Sequence, residues 1–135
     1  MPVDLEIVSP EKLLLSRPVD MVVIPAAEGE MGVLVNHAPM IVLLRGGTIR
    51  LYEGGKVTDR LFVSGGFAEV TPKRVTVLAN EVQPTAEVSK ADAERALADA
   101  KTAYEAIDKT DVIAVEVAVE NIQNATAMLA AAEAS

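Results

Sequence analysis

No cysteine and no tryptophan occur in this chain of 135 residues, histidine appears once, and aromatic residues make up only 3%. Without cysteine there is no disulfide framework, no thiolate nucleophile and no thiolate metal site. With His37 as the single histidine, a multi-histidine metal centre is excluded, and a histidine-based hydrolytic triad would rest on that one residue. The scarcity of rings means that any core is built from Val, Leu, Ile, Met and Ala, and it speaks against sugar stacking. Basic residues are also few: 12 Lys and Arg against 20 Asp and Glu leave a net charge of -8. That balance argues against tracking a phosphate backbone and against adsorption to an anionic lipid surface. The longest apolar runs, such as Met40 to Leu44, are too short to cross a bilayer. The opening Met-Pro-Val-Asp-Leu-Glu has neither the basic and apolar segments of a secretory signal nor the Arg-rich character of a transit peptide. The expectation is an intracellular protein with no direct lipid insertion and no nucleic-acid partner, whose membrane association, if any, goes through a partner protein.

What is present is organised in two parts. Half of the residues are apolar, a globular composition, and the periodicity changes once, near Pro84. Before it, short β-branched runs alternate with turn residues, which predicts strands near residues 4–8, 12–16, 20–24, 32–34, 40–44, 48–52, 57–63, 67–70 and 74–78. Glu53-Gly54-Gly55-Lys56 reads as a hairpin turn, and Ser64-Gly65-Gly66 and Thr71-Pro72-Lys73 as further punctuation. The glycine pairs do not open onto a Gly-Lys-Ser/Thr pattern, so they are turns and not phosphate loops. After Pro84, Ser89 is the expected N-cap of a helix whose stripe is Ala93, Ala96, Leu97, Ala100, Tyr104 and Ile107. Asp108 to Asp111 is a short connection, and Val112, Val115, Val119, Ile122 and Leu129 form the expected stripe of a second, antiparallel helix. Residues 112–119 would pass locally as a strand, but the alanine-rich continuation favours helix. The fold class is therefore α+β: residues 1–86 an all-β sandwich of about nine to ten strands in two packed sheets, residues 87–135 a two-helix hairpin.

Four segments, in this order and spacing, carry a family resemblance: residues 29–34 (GEMGVL), 36–39 (NHAP), 63–70 (VSGGFAEV) and 75–79 (VTVLA). Followed by a helical hairpin, they make the chain similar to the epsilon subunit of F-type ATP synthases, the counterpart of mitochondrial delta. The resemblance implies a non-catalytic subunit without cofactor that binds the gamma shaft and the ring of c subunits below the α/β catalytic head. It also implies a peripheral position on the cytoplasmic face of a bacterial inner membrane. In some relatives the hairpin extends along gamma and inhibits ATP hydrolysis, and in some it binds ATP.

Carried onto this sequence, the resemblance puts Glu28, Glu30 and His37 at the c ring, where carboxylates suit basic loops. Met31, Val33, Met40 and Val42 suit either a surface for gamma or the hairpin, or the core. Ala91-Asp92-Ala93-Glu94-Arg95-Ala96 keeps Asp92, Arg95 and Ala96 of the nucleotide-binding pattern but has Ala91 where that pattern has Ile or Leu. Asp92 and Arg95 suit either ATP binding or a local ion pair. From Thr110 onward there are four acids and no base, poor chemistry for phosphate or for an acidic target, so the expectation is weak ATP binding and weak inhibition. Two readings stand outside this family: a free β-sandwich binding module, and a nucleotide-sensing regulator using Asp92 and Arg95.

Overall fold

A computed structural model describes residues 2–133; residues 1, 134 and 135, which fall within the two expected spans, lie outside the described residues. Ten strands precede two helices: β1 Val3–Val8, β2 Leu13–Val19, β3 Met21–Ala26, β4 Gly29–Val33, β5 Met40–Leu44, β6 Gly47–Glu53, β7 Lys56–Val63, β8 Gly66–Val70, β9 Arg74–Ala79, β10 Val82–Pro84, α1 Lys90–Ala106 and α2 Val112–Glu133. The strands form one hydrogen-bonded sheet in the order β10-β7-β6-β3-β5-β8-β9-β1-β2, with β4 paired to β3. The sheet curls into a sandwich, and the joint between its halves is thin: β3 and β5 share the single register pair Ala26 with Leu44. At the free edges Arg17 on β2 reaches Glu53 on β6 and Asp59 on β7, tying the two layers together.

Alternation explains the core. Val3, Leu5 and Ile7 of β1, Ile49 and Leu51 of β6, and Val75 and Val77 of β9 point inward and are fully buried, while their neighbours point out. β1 lies parallel to β9, with Leu5 opposite Val75 and Ile7 opposite Val77. The expected hairpin turn at Gly54-Gly55 is present, both glycines at positive φ. Gly66, expected as a turn residue, instead opens β8 against β9: a Cβ there would lie 2.0 Å from the Leu78 carbonyl oxygen. The strand pattern missed β10, whose Val-Gln-Pro is too short for alternation to register.

The helices begin and end for local reasons. Ser89 is the N-cap of α1, its Oγ accepting from the Asp92 amide at 3.2 Å. The Asp108 carboxylate accepts from the amide and hydroxyl of Thr110, and the Asp111 carboxylate accepts from the Ala114 amide at the start of α2. The stripe expected on α2 is corrected by the structure. Its fully buried residues are Ala118, Ala125 and Ala131; Val115, Ile122 and Leu129 of the expected stripe are part-buried beside them, while Val112 and Val119 are at least half exposed. Small side chains let α2 approach α1 closely, so the seam runs along alanines and the bulky β-branched residues fall beside it.

Candidate functional site

Three surfaces of the sandwich and hairpin carry exposed chemistry. The first is apolar. On the outer face, strand register aligns Leu43 of β5, Phe67 of β8, Leu78 of β9, Val8 of β1 and Leu13 of β2 in one row. Leu43 is 67% exposed, Phe67 44%, and Ile41 beside them 73%. A five-strand apolar row of this kind is a covered surface in waiting, because leaving Leu and Phe in water forfeits about 1.5–3 kcal/mol each relative to burial.

Of the residues expected for partner contact, Glu28, Met31, Met40 and Val42 line one groove between the β3–β4 turn and β5, together with Ile41 and Leu43. Val33 and Val42 turn inward; Val33 has no exposed surface and packs in the core, so its contact is with the rest of the sandwich. Met40 is part exposed. The outward residues of β5, Ile41 and Leu43, were not singled out from the sequence. The available signal was that Met40 to Leu44 is apolar on both faces, the pattern of a strand covered on both sides.

The second surface is polar. Glu30, on β4, is not a free carboxylate: its Oε2 accepts from Arg50 of β6 at 2.9 Å. Glu28 is exposed in the β3–β4 turn. His37 stands elsewhere, in the loop after β4, where the Asn36 amide donates to the Pro72 carbonyl at 2.6 Å and Asn36 takes a φ of 68°. Five residues of β4, about 16 Å of strand, separate the His37 loop from the turn carrying Glu28. The three residues expected together therefore occupy opposite ends of β4.

The third surface belongs to the hairpin. Asp92 and Arg95 lie one turn apart on exposed α1, 3.6 Å from each other, a local i, i+3 ion pair worth a few tenths of a kcal/mol. The hairpin docks on the outer face of β7 and β6 through a small cluster of Phe62, Val88 and Ala131. A polar latch adds to it: the Gly46 amide donates to Gln123 Oε1 at 3.2 Å, and Gln123 Nε2 donates to the Gly46 carbonyl at 2.7 Å. The fit is close enough that a Cβ at position 46 would lie 2.2 Å from Asn124 Oδ1. The amino-terminal half of α2 leaves Val112, Ile113 and Val117 exposed. Among the described residues no cluster of three or more His, Asp or Glu side chains could hold a metal, and no helix is long and apolar enough to cross a membrane.

Comparison with known proteins gives these surfaces a setting. Residues 2–85 match the family described as ATP synthase, Delta/Epsilon chain, beta-sandwich domain. The chain is 67% identical over 128 residues to the ATP synthase epsilon chain of Granulibacter bethesdensis, covering 95% of each. It is 43% identical over 132 residues to that of Gluconacetobacter diazotrophicus, covering 98% of this chain and 94% of the relative. Among solved structures it superposes on a chain of the Euglena gracilis mitochondrial ATP synthase, a structure containing OSCP, F1 and c-ring, with TM-score 0.76, 31% identity and coverage of 95% and 81%. A chain from the central stalk and c-ring of Tetrahymena thermophila mitochondrial ATP synthase matches with TM-score 0.62 at 12% identity, a likeness of fold.

Proposed function

This chain belongs to the ATP synthase delta/epsilon family, and from that premise we propose that it is a non-catalytic central-stalk subunit joining the gamma shaft to the c ring. The observation that supports this reading best is the exposed apolar row from Leu43 through Phe67 to Leu13. A subunit held between larger partners covers such a surface and gains the burial of its Leu and Phe side chains. In this reading gamma covers the row around Ile41, Leu43 and Phe67, with Met40 and Met31 at its margin. The c ring meets the polar rim: Glu28 and Glu30 in one contact, His37 in a second at the far end of β4.

The hairpin in this reading is a docked appendage that inhibits hydrolysis weakly at most, since α2 carries acids and no base. Asp92 and Arg95 act as a local pair, so ATP is at best a weak ligand there. The test is co-purification. Tagged full-length chain, extracted from its own membranes in mild detergent, is expected to bring down gamma, the α/β head and c subunits in constant ratio. Recovery of the chain alone, with those subunits retained elsewhere in an intact complex, would sink the proposal.

A further inference from the structure

We infer that the cleft between the sandwich and α2 is a binding site for oligophosphate anions, built on Arg45, Arg50 and Arg60. In a chain with a net charge of -8, these three arginines line a single cleft of about 610 Å³. Eight bases serve the 86 residues before the hairpin, so the gathering of three is a local inversion of the molecule's charge. Arg50 and Arg60 are register partners on β6 and β7, like charges facing each other on the same outer surface, an arrangement that costs stability unless something negative sits over it. Only one carboxylate lines the cleft, that of Glu30, and it engages Arg50 alone. Among the described residues Arg45 and Arg60 have no ion-pair partner, and Arg50 Nε is buried without a hydrogen-bond acceptor. Two guanidiniums without an ion-pair partner thus leave their donors open to an acceptor-rich ligand.

The cleft is an open depression lined by Thr126, Ala127 and Ala130 of α2 and by Pro25 of β3, so hairpin and sandwich both contribute to it. Arginine forks match tetrahedral phosphate oxygens in pairs, and two unpaired forks beside a third arginine in one cleft suit a chain of linked phosphates better than a single one. The cleft lies away from Asp92 and Arg95 at the start of α1, so it owes nothing to that pair. Because α2 contributes to its lining, an anion held there also favours the docked hairpin.

The probe is inorganic tripolyphosphate, titrated calorimetrically into the full chain at low salt, with ATP as a second arm to distinguish a free oligophosphate from a nucleotide as its source. One saturating site is expected, weakened roughly fivefold by Arg45→Gln and by Arg60→Gln and lost in the double variant. Arg95→Gln should leave it unchanged, and all variants should retain the parent's circular dichroism, since all three substituted arginines are exposed. Equal affinity for ATP and tripolyphosphate would identify the phosphates as the whole determinant; tighter ATP binding with the same arginine dependence would add the nucleoside. Absence of saturable binding, or binding indifferent to Arg45 and Arg60, would overturn the inference, as would sensitivity to Arg95 in their place.

Discussion

At Gly66 the backbone sits at φ +123° with the Leu78 carbonyl oxygen where a side chain would be, so both conformation and space forbid a Cβ. Gly66→Ala is expected to cost about 2–4 kcal/mol in urea denaturation. Gly54→Ala, at φ +62° in an open turn, should cost only about 1 kcal/mol. Equal losses at the two sites would show that the strand approach matters less than φ. Asp108 is a second case where one residue's chemistry is readable. Its carboxyl is held below the usual carboxylate range first by the Thr110 amide, then by the Thr110 hydroxyl, with Lys109 adding to the shift. A depressed carboxylate supports the connection between helices at neutral pH, and that support is lost as pH falls through the lowered value. A carbon-detected NMR titration should find Asp108 protonating below the ordinary aspartate range, and a midpoint within that range would contradict the role given to Thr110.

Among the elements, the helices were easier to read than the faces they use. Ser89 and the Asp108 connection were legible because capping is local, spanning three residues. The seam of α2 was legible only in part: Val115, Ile122 and Leu129 are part-buried along it, but alanine carries little pattern, so Ala118 and Ala125 at its centre went unmarked while Val112 and Val119 are exposed. The latch between Gly46 and Gln123 joins positions 77 residues apart, a pairing that no local rule reveals. Strand parity was equally hidden on β5, where every residue is apolar; only the register with β8 separates inward Val42 from outward Leu43. The latch makes a prediction at this scale. Gly46→Ala pushes against Asn124 and should loosen the hairpin, speeding amide exchange in α1 and α2 about tenfold while β1 and β9 keep their protection. Uniform acceleration across the sandwich would mean that hairpin and sandwich open as one unit.

For the whole molecule, the charge distribution and the apolar row decide the account. The acidic α2 makes the hairpin a weak electrostatic partner for any acidic surface. Removing residues 88–135 should therefore raise ATP hydrolysis by the assembled complex less than about twofold, and a several-fold rise would refute the charge argument. The sandwich, by contrast, is expected to hold the subunit in place through Leu43 and Phe67, which face outward at the β5 end of the row and are neighbours across β5 and β8. The affinity of purified full-length chain for gamma, measured with Leu43→Asp and Phe67→Asp combined, tests that claim most directly. If the row is the gamma surface, the double variant keeps its fold and binds at least about a hundredfold more weakly; a correctly folded variant that binds gamma as tightly as the parent would contradict it.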